Sequence, residues 1–341
     1  MNSSFPDRRT IETVLSLATR APSIHNSQPW RWKVGEQTLQ LYADPNRQLP
    51  NTDPDRRDLL LSCGATLHHA VVALAALGWQ AKVHRLPNPL QPDHLASIEV
   101  SRHPAGELDI ALAAAIPRRR TDRRVYSWWP VPAADITLMG ARAMRAGVML
   151  RRVESLPKLQ AVVAEAVRRH AGDKDYLVEL TEWTGRYGGV AGVPARNIPP
   201  RDASAPIPAR MFAGAALPQP PDAEAADDSA IVLALGTAKD DTMSRLRAGE
   251  ATSLVLLTAT ALGLSSCPVT EPLEIDETRE AVRSDVFGVS GYPQMLLRVG
   301  WAPINADPIP ATPRRPLSEV VTWLDGTPFT TDAAHDATAH G

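Results

Sequence analysis

The sequence has few cysteines, little net charge and no long apolar run, and each shortage excludes a class of protein. Only 2 cysteines occur among 341 residues, too few for a disulfide framework or a cysteine metal cluster, and typical of a reducing, cytoplasmic setting. A formal net charge of −2 gives no electrostatic reason to expect nucleic acid or an anionic membrane as partner. The longest apolar runs, 67–79 and 254–264, are too short to cross a bilayer. We therefore expect a soluble, cytoplasmic protein that binds no metal.

Periodicity and capping signals predict a mixed chain of helices and strands. The predicted helices are 10–20, 56–77, 108–116, 133–146, 157–171, 241–262 and 274–283. The predicted strands are 30–34, 38–42, 80–85, 94–101, 148–153, 229–236 and 294–300. From about 185 to 228, glycine, proline, alanine and isolated charges replace any periodic pattern. A stretch of this length within a compact chain is typical of a lid or a disordered insert.

A repeat relates the two longest apolar helices. The stretch from Gly64 to Gly78 aligns without a gap with the stretch from Gly249 to Gly263, and both end in Ala-Leu-Gly. Small residues at helical spacing suit two helices that pack closely together. Composition alone is an alternative explanation, because alanine- and leucine-rich helices resemble one another. We favour a duplicated α+β unit fused into an internal pseudo-dimer.

Two polar stretches are candidates for binding. The loop after the first helix begins at Ala21-Pro22, where proline ends the helix, and carries mostly hydrogen-bonding side chains. It is either a well-bonded corner or a site. The second stretch, 117–124, holds five arginines and a threonine, and Arg314-Arg315 form a distant pair. Guanidinium groups chelate phosphate oxygens as a fork. The arginines are therefore either solvated surface or a two-sided phosphate clamp.

Four motifs together resemble the nitroreductase superfamily of flavin mononucleotide (FMN) proteins. They are the Pro-Ser-x-x-Asn-x-Gln-Pro-Trp loop at 22–30, the arginine run, Cys-Pro-Val-Thr-Glu at 267–271 and Thr-Pro-Arg-Arg-Pro-Leu at 312–317. The chain is most similar to the long, dormancy-associated Acg-like subgroup, in which two nitroreductase-like halves are fused. The resemblance implies an α+β, nitroreductase-like fold with long central helices. It also implies an N-terminal half at 1–105, a C-terminal half at 106–330 with a lid-like insert at about 185–228, and a weakly ordered tail at 331–341.

The resemblance also implies which residues hold the flavin phosphate and ring. Arg119 and Thr121 would bind the phosphate, with Arg314 and Arg315 of the C-terminal arm closing over it. Arg123 would lie near the N1/O2 edge of the ring, where positive charge stabilises the reduced flavin.

Contacts from the other half complete the implied site. Pro22, Ser23 and Asn26 would reach the flavin from the N-terminal half. Thr270 and Glu271 would line the N5 side, the edge that exchanges hydride, mainly through backbone groups. No side chain is expected to act as a catalytic acid or base, because the flavin carries the chemistry.

The distribution of motifs predicts one complete site per chain. The first half has the Pro-Ser-x-x-Asn loop but only a degenerate Arg8-Arg9-Thr10 start and no arginine arm, whereas the second half has both arginine clusters but no such loop. We therefore expect one FMN per chain, with NAD(P)H as electron donor and a small nitroaromatic or quinone-like acceptor. One alternative is a non-catalytic, FMN-sequestering stress protein whose lid covers the flavin; another is an empty fold that serves protein association. Whether the chain is a monomeric pseudo-dimer or a homodimer stays open.

Overall fold

The computed structural model describes residues 5–186, 188–202, 205–220, 228–303 and 305–330. The helices are Arg8–Ala18 (α1), Arg57–Ala76 (α2), Glu107–Ala115 (α3), Ala133–Arg145 (α4), Leu156–Ala171 (α5), Lys174–Trp183 (α6), Thr242–Ala261 (α7), Glu271–Glu274 (α8), Asp276–Val282 (α9) and Leu317–Val320 (α10). The strands are Trp30–Val34 (β1), Thr38–Ala43 (β2), Trp79–Arg85 (β3), His94–Arg102 (β4), Met149–Arg152 (β5), Thr184–Arg186 (β6), Val193–Pro194 (β7), Ile231–Thr237 (β8), Ser265–Pro268 (β9), Tyr292–Gly300 (β10) and Val321–Trp323 (β11). The mixed α and β class predicted from the sequence is confirmed.

The first sheet has the strand order β11-β1-β2-β4-β3. Strands β1 and β2 form the predicted antiparallel hairpin, with Trp32 opposite Leu41. Alternate residues of β2 are buried, as expected for a strand with one face on the core. Trp30 and Trp32 are fully buried in the same core, together with residues of α1 and α2. The apolar alternation that follows the opening loop therefore anchors that loop to this sheet.

The second sheet has the strand order β5-β8-β10-β9. Every residue of β8 is buried, which matches its continuous apolar sequence. Leu233 and Leu235 pack in one core cluster with residues of α4 and α7, whereas Val232 and Ala234 pack in another with residues of α5 and α9. This sheet therefore lies between two layers of helices, while the first sheet has its main core on the α2 side.

Helices α2 and α7 cross at two glycines, one in each helix. A Cβ built on Gly64 would lie 2.1 Å from the Leu246 carbonyl oxygen and 2.9 Å from the Gly249 Cα. A Cβ on Gly249 would lie 2.1 Å from the Leu61 carbonyl oxygen. Such distances are far below van der Waals contact, so only glycine permits this approach. The predicted close packing of the two repeated helices is confirmed.

Helix α2 has the length and composition of a membrane-spanning helix, but 78% of its apolar window is buried inside the protein. It packs against the first sheet, and α7 packs against the second. At the start of α2, the Asp53 carboxylate accepts hydrogen bonds from the backbone N–H groups of Asp58 and Leu59, at 3.0 and 2.7 Å. These acceptors satisfy two of the donors that a helix N-terminus leaves open.

Two segments cross from the second half of the chain toward the first sheet. The C-terminal arm returns so that β11 pairs in parallel with β1, Val321 beside Trp32; the sequence analysis does not predict α10 or β11. We call residues 188–202 and 205–220 the lid segment. The expectation of no regular structure from residue 185 is wrong in part, because β6 and β7 pair there in parallel. The rest of the insert at 221–227 and the tail at 331–341 lie outside the described residues.

Candidate functional site

One large cavity lies where α2, the opening loop, the arginine run, the end of β9, the C-terminal arm and the lid segment meet. It is lined by all but one of the predicted site residues: Pro22, Ser23, Asn26, Arg119, Thr121, Arg123, Thr270, Glu271 and Arg314. Residues that are 292 positions apart in sequence, Pro22 and Arg314, thus line one space. The remaining predicted residue, Arg315, is not among the residues that line it.

The opening loop holds a strained backbone at the cavity wall. His25, Asn26 and Gln28 have φ values of 44°, 54° and 53°, the left-handed region that non-glycine residues rarely adopt. The Asn26 amide fixes this shape because its nitrogen donates to the carbonyl oxygens of Gly192 and Pro313, at 3.0 and 3.1 Å. Strain of this kind persists only where surrounding contacts over-determine it, and it is concentrated at functional sites.

Arg119 supplies unused hydrogen-bond donors at the arginine-rich end of the cavity. The residue is 6% exposed, and its Nε and Nη1 atoms are buried without a hydrogen-bond partner in the described part of the chain. Burial and the nearby charges of Arg120, Arg20 and Arg123 lower the pKa of Arg119 to about 10. Buried donors are almost always paired. A cluster of like charges with free donors therefore fits an anion such as a phosphate.

Arg314 and its neighbour Arg315 have different environments. Arg314 donates to the carbonyl oxygens of Thr19, Arg20 and Ala21, each at 3.0 Å, and so ties the arm to the C-terminal end of α1. Burial, followed by the charge of Arg119, lowers the pKa of Arg314 to about 9. It therefore brings positive charge to the cavity, although these donors are already occupied.

Arg315 contacts the protein's own acids instead of the cavity. Its Nε donates to Glu319 at 3.1 Å, and its Nη1 lies 3.9 Å from the Asp44 carboxylate. Its backbone N–H donates to the Gln28 side-chain oxygen at 2.8 Å. The structure therefore does not bring Arg315 to the predicted phosphate position, and its role is to fasten the arm to the opening loop.

Thr121 and Arg123 are positioned by a short link to the second sheet. Thr121 forms an isolated parallel bridge with Ser266 of β9. The Arg123 Nη1 donates to the Asn197 carbonyl oxygen at 3.3 Å, and its guanidinium lies 5.0 Å from the centre of the Phe212 ring. Burial lowers the pKa of Arg123. Both contacts place this arginine beneath the lid segment.

Thr270 and Glu271 also line the cavity, and the lid segment contributes Arg210 next to them. The Arg210 Nη2 donates to the Thr270 hydroxyl at 3.2 Å, and its Nη1 lies 2.7 Å from the Nε2 of His25. Because a guanidinium can only donate, that His25 nitrogen must accept, so the imidazole is neutral. Burial and then the Arg210 charge hold the pKa of His25 well below its usual value. Glu271 also accepts from His170 at 3.1 Å.

Sequence reasoning missed several residues of this site. Arg210, Phe212 and Asn197 lie in a segment with no periodic signal, so only the folded chain reveals that they reach the cavity. Asp58 lies on α2 among apolar neighbours and lines the cavity as well. Its proximity to the Asp53 helix start was the only available signal. Burial and then the charge of Asp53 raise the pKa of Asp58 to about 8.

Comparisons with known proteins agree with this architecture. A model described as "Nitroreductase family" matches residues 118–301, which is more than half of the chain. The chain is 65% identical over 323 residues to "Putative NAD(P)H nitroreductase Rv3131" of Mycobacterium tuberculosis, covering 95% of this chain and 94% of that protein. It is 39% identical over 323 residues to "Putative NAD(P)H nitroreductase acg" of the same organism, covering 91% and 94%.

Two nitroreductase structures with bound FMN are among the solved structures to which the chain shows a low similarity. One from Desulfitobacterium hafniense has a TM-score of 0.40 and 13% identity, and covers 63% of this chain and 98% of that chain. Another, from Bacteroides fragilis, has a TM-score of 0.38 and 16% identity, and covers 57% and 90%. The family match and the two relatives are sufficient to assign the family, and the assignment does not depend on these structures. The chain belongs to the nitroreductase family.

Proposed function

We propose that the chain binds FMN in this cavity and acts as an NAD(P)H-dependent oxidoreductase of the nitroreductase type. When bound, the flavin would accept hydride at N5 from NAD(P)H and pass electrons to a flat acceptor such as a nitroaromatic or a quinone. The family match and the NAD(P)H nitroreductase names of the relatives support this proposal. The acceptor is a small molecule, and the chain works either as a monomer or as a homodimer.

The observation that carries the proposal is the pair of unpartnered Arg119 donors. Nε and Nη1 of Arg119 are buried without a hydrogen-bond partner in the described residues. The neighbouring charges that lower the pKa of Arg119 all belong to other arginines, and none is a carboxylate. A phosphate would accept from these donors and offset the mutual repulsion of the guanidinium groups. Thr121 lines the same cavity and offers a hydroxyl donor for the same anion. The donor set thus fits the phosphate end of FMN.

The other lining residues would bind and orient the ring. Arg123 would bring positive charge to one edge of the flavin, where it would favour the reduced state. Thr270 and Glu271 would line the edge that exchanges hydride. Pro22 and Ser23 would contact the flavin from the opening loop, and the Asn26 amide, whose donors hold Gly192 and Pro313, would fix the loop's shape.

A second candidate function is FMN sequestration without turnover. The lid segment is bonded to the opening loop: the Gln28 side chain donates to the Val190 carbonyl oxygen at 2.8 Å, and Asn26 donates to that of Gly192 at 3.0 Å. Arg210 adds contacts on the far side of the cavity. A lid that keeps these bonds would cover the flavin and prevent a nicotinamide from stacking on it.

Anaerobic mixing of the purified protein with NADH or NADPH distinguishes the two functions. We expect a yellow protein whose visible flavin band bleaches within the turnover time and returns when a quinone such as menadione is added. Persistent colour with the flavin retained on the protein would favour sequestration. A colourless protein that does not bind added FMN would contradict both functions.

A further inference from the structure

A buried acidic pair lies on the short helix α8, beside the cavity. Glu271 and Glu274 begin and end the short helix α8, and their side chains are only 3% and 1% exposed. Each has an oxygen, Oε2, that is buried and accepts no hydrogen bond from any residue in the described ranges. Glu271 lines the cavity directly. Two carboxylates in such a place require a compensating positive charge.

The compensating charge comes from the lid segment. Arg210 donates through Nη2 to Glu274 Oε1, and its Nε lies 3.9 Å from Glu271 Oε2. Its side chain is 10% exposed. Burial alone would lower the pKa of Arg210, but the charge of Glu274 and its neighbours raises it above the usual value. The guanidinium is thus a cation bound in an acidic pocket, and the segment that carries it covers the site.

If Arg210 left the pocket, the buried carboxylates of Glu271 and Glu274 would lose their compensating positive charge. Breaking a buried ion pair by removing one partner is strongly unfavourable, because the other charge stays buried without compensation. Entry of another cation into the pocket would therefore lower the cost of withdrawing Arg210. Two further polar groups around the guanidinium, the Thr270 hydroxyl and the neutral His25 imidazole, are both able to accept from planar N–H donors.

We propose that Glu271 and Glu274 form a cation subsite of the cavity, that Arg210 is its resident occupant, and that its external ligands are flat aromatic cations with planar N–H donors, such as aryl amidinium or guanidinium compounds. The proposal names a class of ligand for the proposed flavin site and rests on that function for its catalytic meaning. Binding itself does not require the flavin to turn over. Such a ligand would compete with Arg210 and so favour release of the lid segment.

The test compares benzamidine with benzamide, which has nearly the same shape but no charge, by titration calorimetry on the full chain. In Arg210→Gln, benzamidine should bind about tenfold more tightly or better than to the wild type, because a charge-assisted contact becomes available. Benzamide should bind the two proteins equally. Adding Glu274→Gln and Glu271→Gln to Arg210→Gln should abolish the preference for benzamidine.

Two further measurements make each outcome decisive. Arg210→Lys keeps a positive charge and serves if the glutamine variant does not fold; it should bind benzamidine with an affinity between those of the wild type and Arg210→Gln. Benzamidine binding no tighter than benzamide in both Arg210 variants, or a preference that survives the loss of both glutamates, would overturn the proposal. The flavin absorbance of the same samples tests the proposed function separately, because a colourless protein can still show the cation preference.

Discussion

We expect the buried charge of Arg119 to destabilise the flavin-free protein and to stabilise the FMN-bound protein. Its unpartnered donors lie among other arginines, so replacing it with an apolar side chain removes a buried, uncompensated charge. We predict that Arg119→Met lowers FMN affinity by roughly 10- to 150-fold, the equivalent of about 1.5–3 kcal/mol. The melting temperature of the flavin-free protein should stay equal or rise. Flavin titration and calorimetry of the apoprotein check the two effects.

Arg315→Ala is the matched control for Arg119→Met. Both substitutions remove an arginine that the sequence assigns to the phosphate, but Arg315 pairs with Glu319 and lies near Asp44, away from the cavity. The FMN affinity of Arg315→Ala should stay within about twofold of the wild type, since Arg315 does not line the cavity and offers no donor to an anion bound there. Equal losses in the two variants would contradict the assignment of the phosphate to Arg119.

Asp58 makes stability depend on pH in the direction opposite to an ordinary paired carboxylate. Burial and the charges of Asp53 and Glu274 raise the pKa of Asp58 to about 8, so the folded state holds a proton that the unfolded state releases near pH 4. Stability from this group is complete below about pH 4 and is lost as pH rises toward about 8. The melting temperature of Asp58→Asn minus that of the wild type should therefore be at least about 2 °C larger at pH 8 than at pH 5.

Asp240→Asn is the control of opposite sign. Burial alone would raise the pKa of Asp240, but hydrogen bonds from Arg245 and Gln294 lower it to about 2. Its stabilisation is present above the unfolded value near 4 and is lost only as pH falls through about 2. The cost of Asp240→Asn should thus be the same at pH 5 and pH 8. A pH-independent difference for Asp58→Asn as well would contradict the raised pKa of Asp58.

The sequence identified part of the site at this scale. Arg119 stood out because a non-periodic run of arginines has few structural uses. Sequence cannot separate Arg314 from Arg315, however, because the choice between cavity and surface depends on the direction of each side chain and on a partner such as Glu319. Arg210 had no local signal, since its contacts are all with residues distant in the chain.

At the scale of elements, the α2–α7 crossing depends on Gly64 and Gly249. A Cβ on Gly64 would meet backbone atoms of Leu246 and Gly249, which cannot rotate away as a side chain can. We predict that Gly64→Ala destabilises the protein by about 3 kcal/mol or more, at the upper end of overpacking effects. Denaturant unfolding measures this difference.

Gly140→Ala provides the control within helix α4. Its Cβ would lie 3.9 Å from the Leu150 Cδ2, an ordinary contact, and alanine is the better helix former. The substitution should be neutral or stabilising by up to about 1 kcal/mol. Similar losses for Gly64→Ala and Gly140→Ala would mean that the crossing does not depend on the absence of a side chain.

Elements with a strong hydrophobic periodicity were predicted from the sequence, whereas several short or polar elements were not. The β1–β2 hairpin and helices α2 and α7 agree with the prediction within a few residues. Helix α6 was missed although Asp173 caps it, accepting from the backbone of Asp175 and Tyr176. It is short and polar, and it gains much of its order from long-range contacts such as Glu179 accepting from Thr52. Strand β11 exists only because β1 offers it a partner.

At the scale of the whole molecule, the repeat relates the large cavity to a second cleft. The offset that aligns Gly64 with Gly249 carries Val83, His84 and Arg85 of that cleft onto Pro268, Val269 and Thr270 of the cavity. This correspondence supports our proposal of a duplicated unit, with halves near 1–105 and 106–330, as an internal pseudo-dimer.

The second cleft lacks the chemistry of the cavity. Arg85, which lines the cleft, forms a bidentate ion pair with Glu250, with both N–O distances 2.7 Å. The two residues are at positions equivalent to Thr270 and Ala65. These larger side chains occupy space that the smaller residues leave open in the cavity. Together with the absence of a second arginine arm, the ion pair argues for a single flavin site in each chain.

The flavin content of the purified protein tests the central claim most directly. The protein is saturated with FMN, freed of excess ligand and denatured, and the released flavin is quantified by chromatography against the protein concentration. We expect one FMN per chain for the wild type and for Arg315→Ala, and a clear deficit for Arg119→Met. Two FMN per chain, or none after saturation, would contradict this expectation.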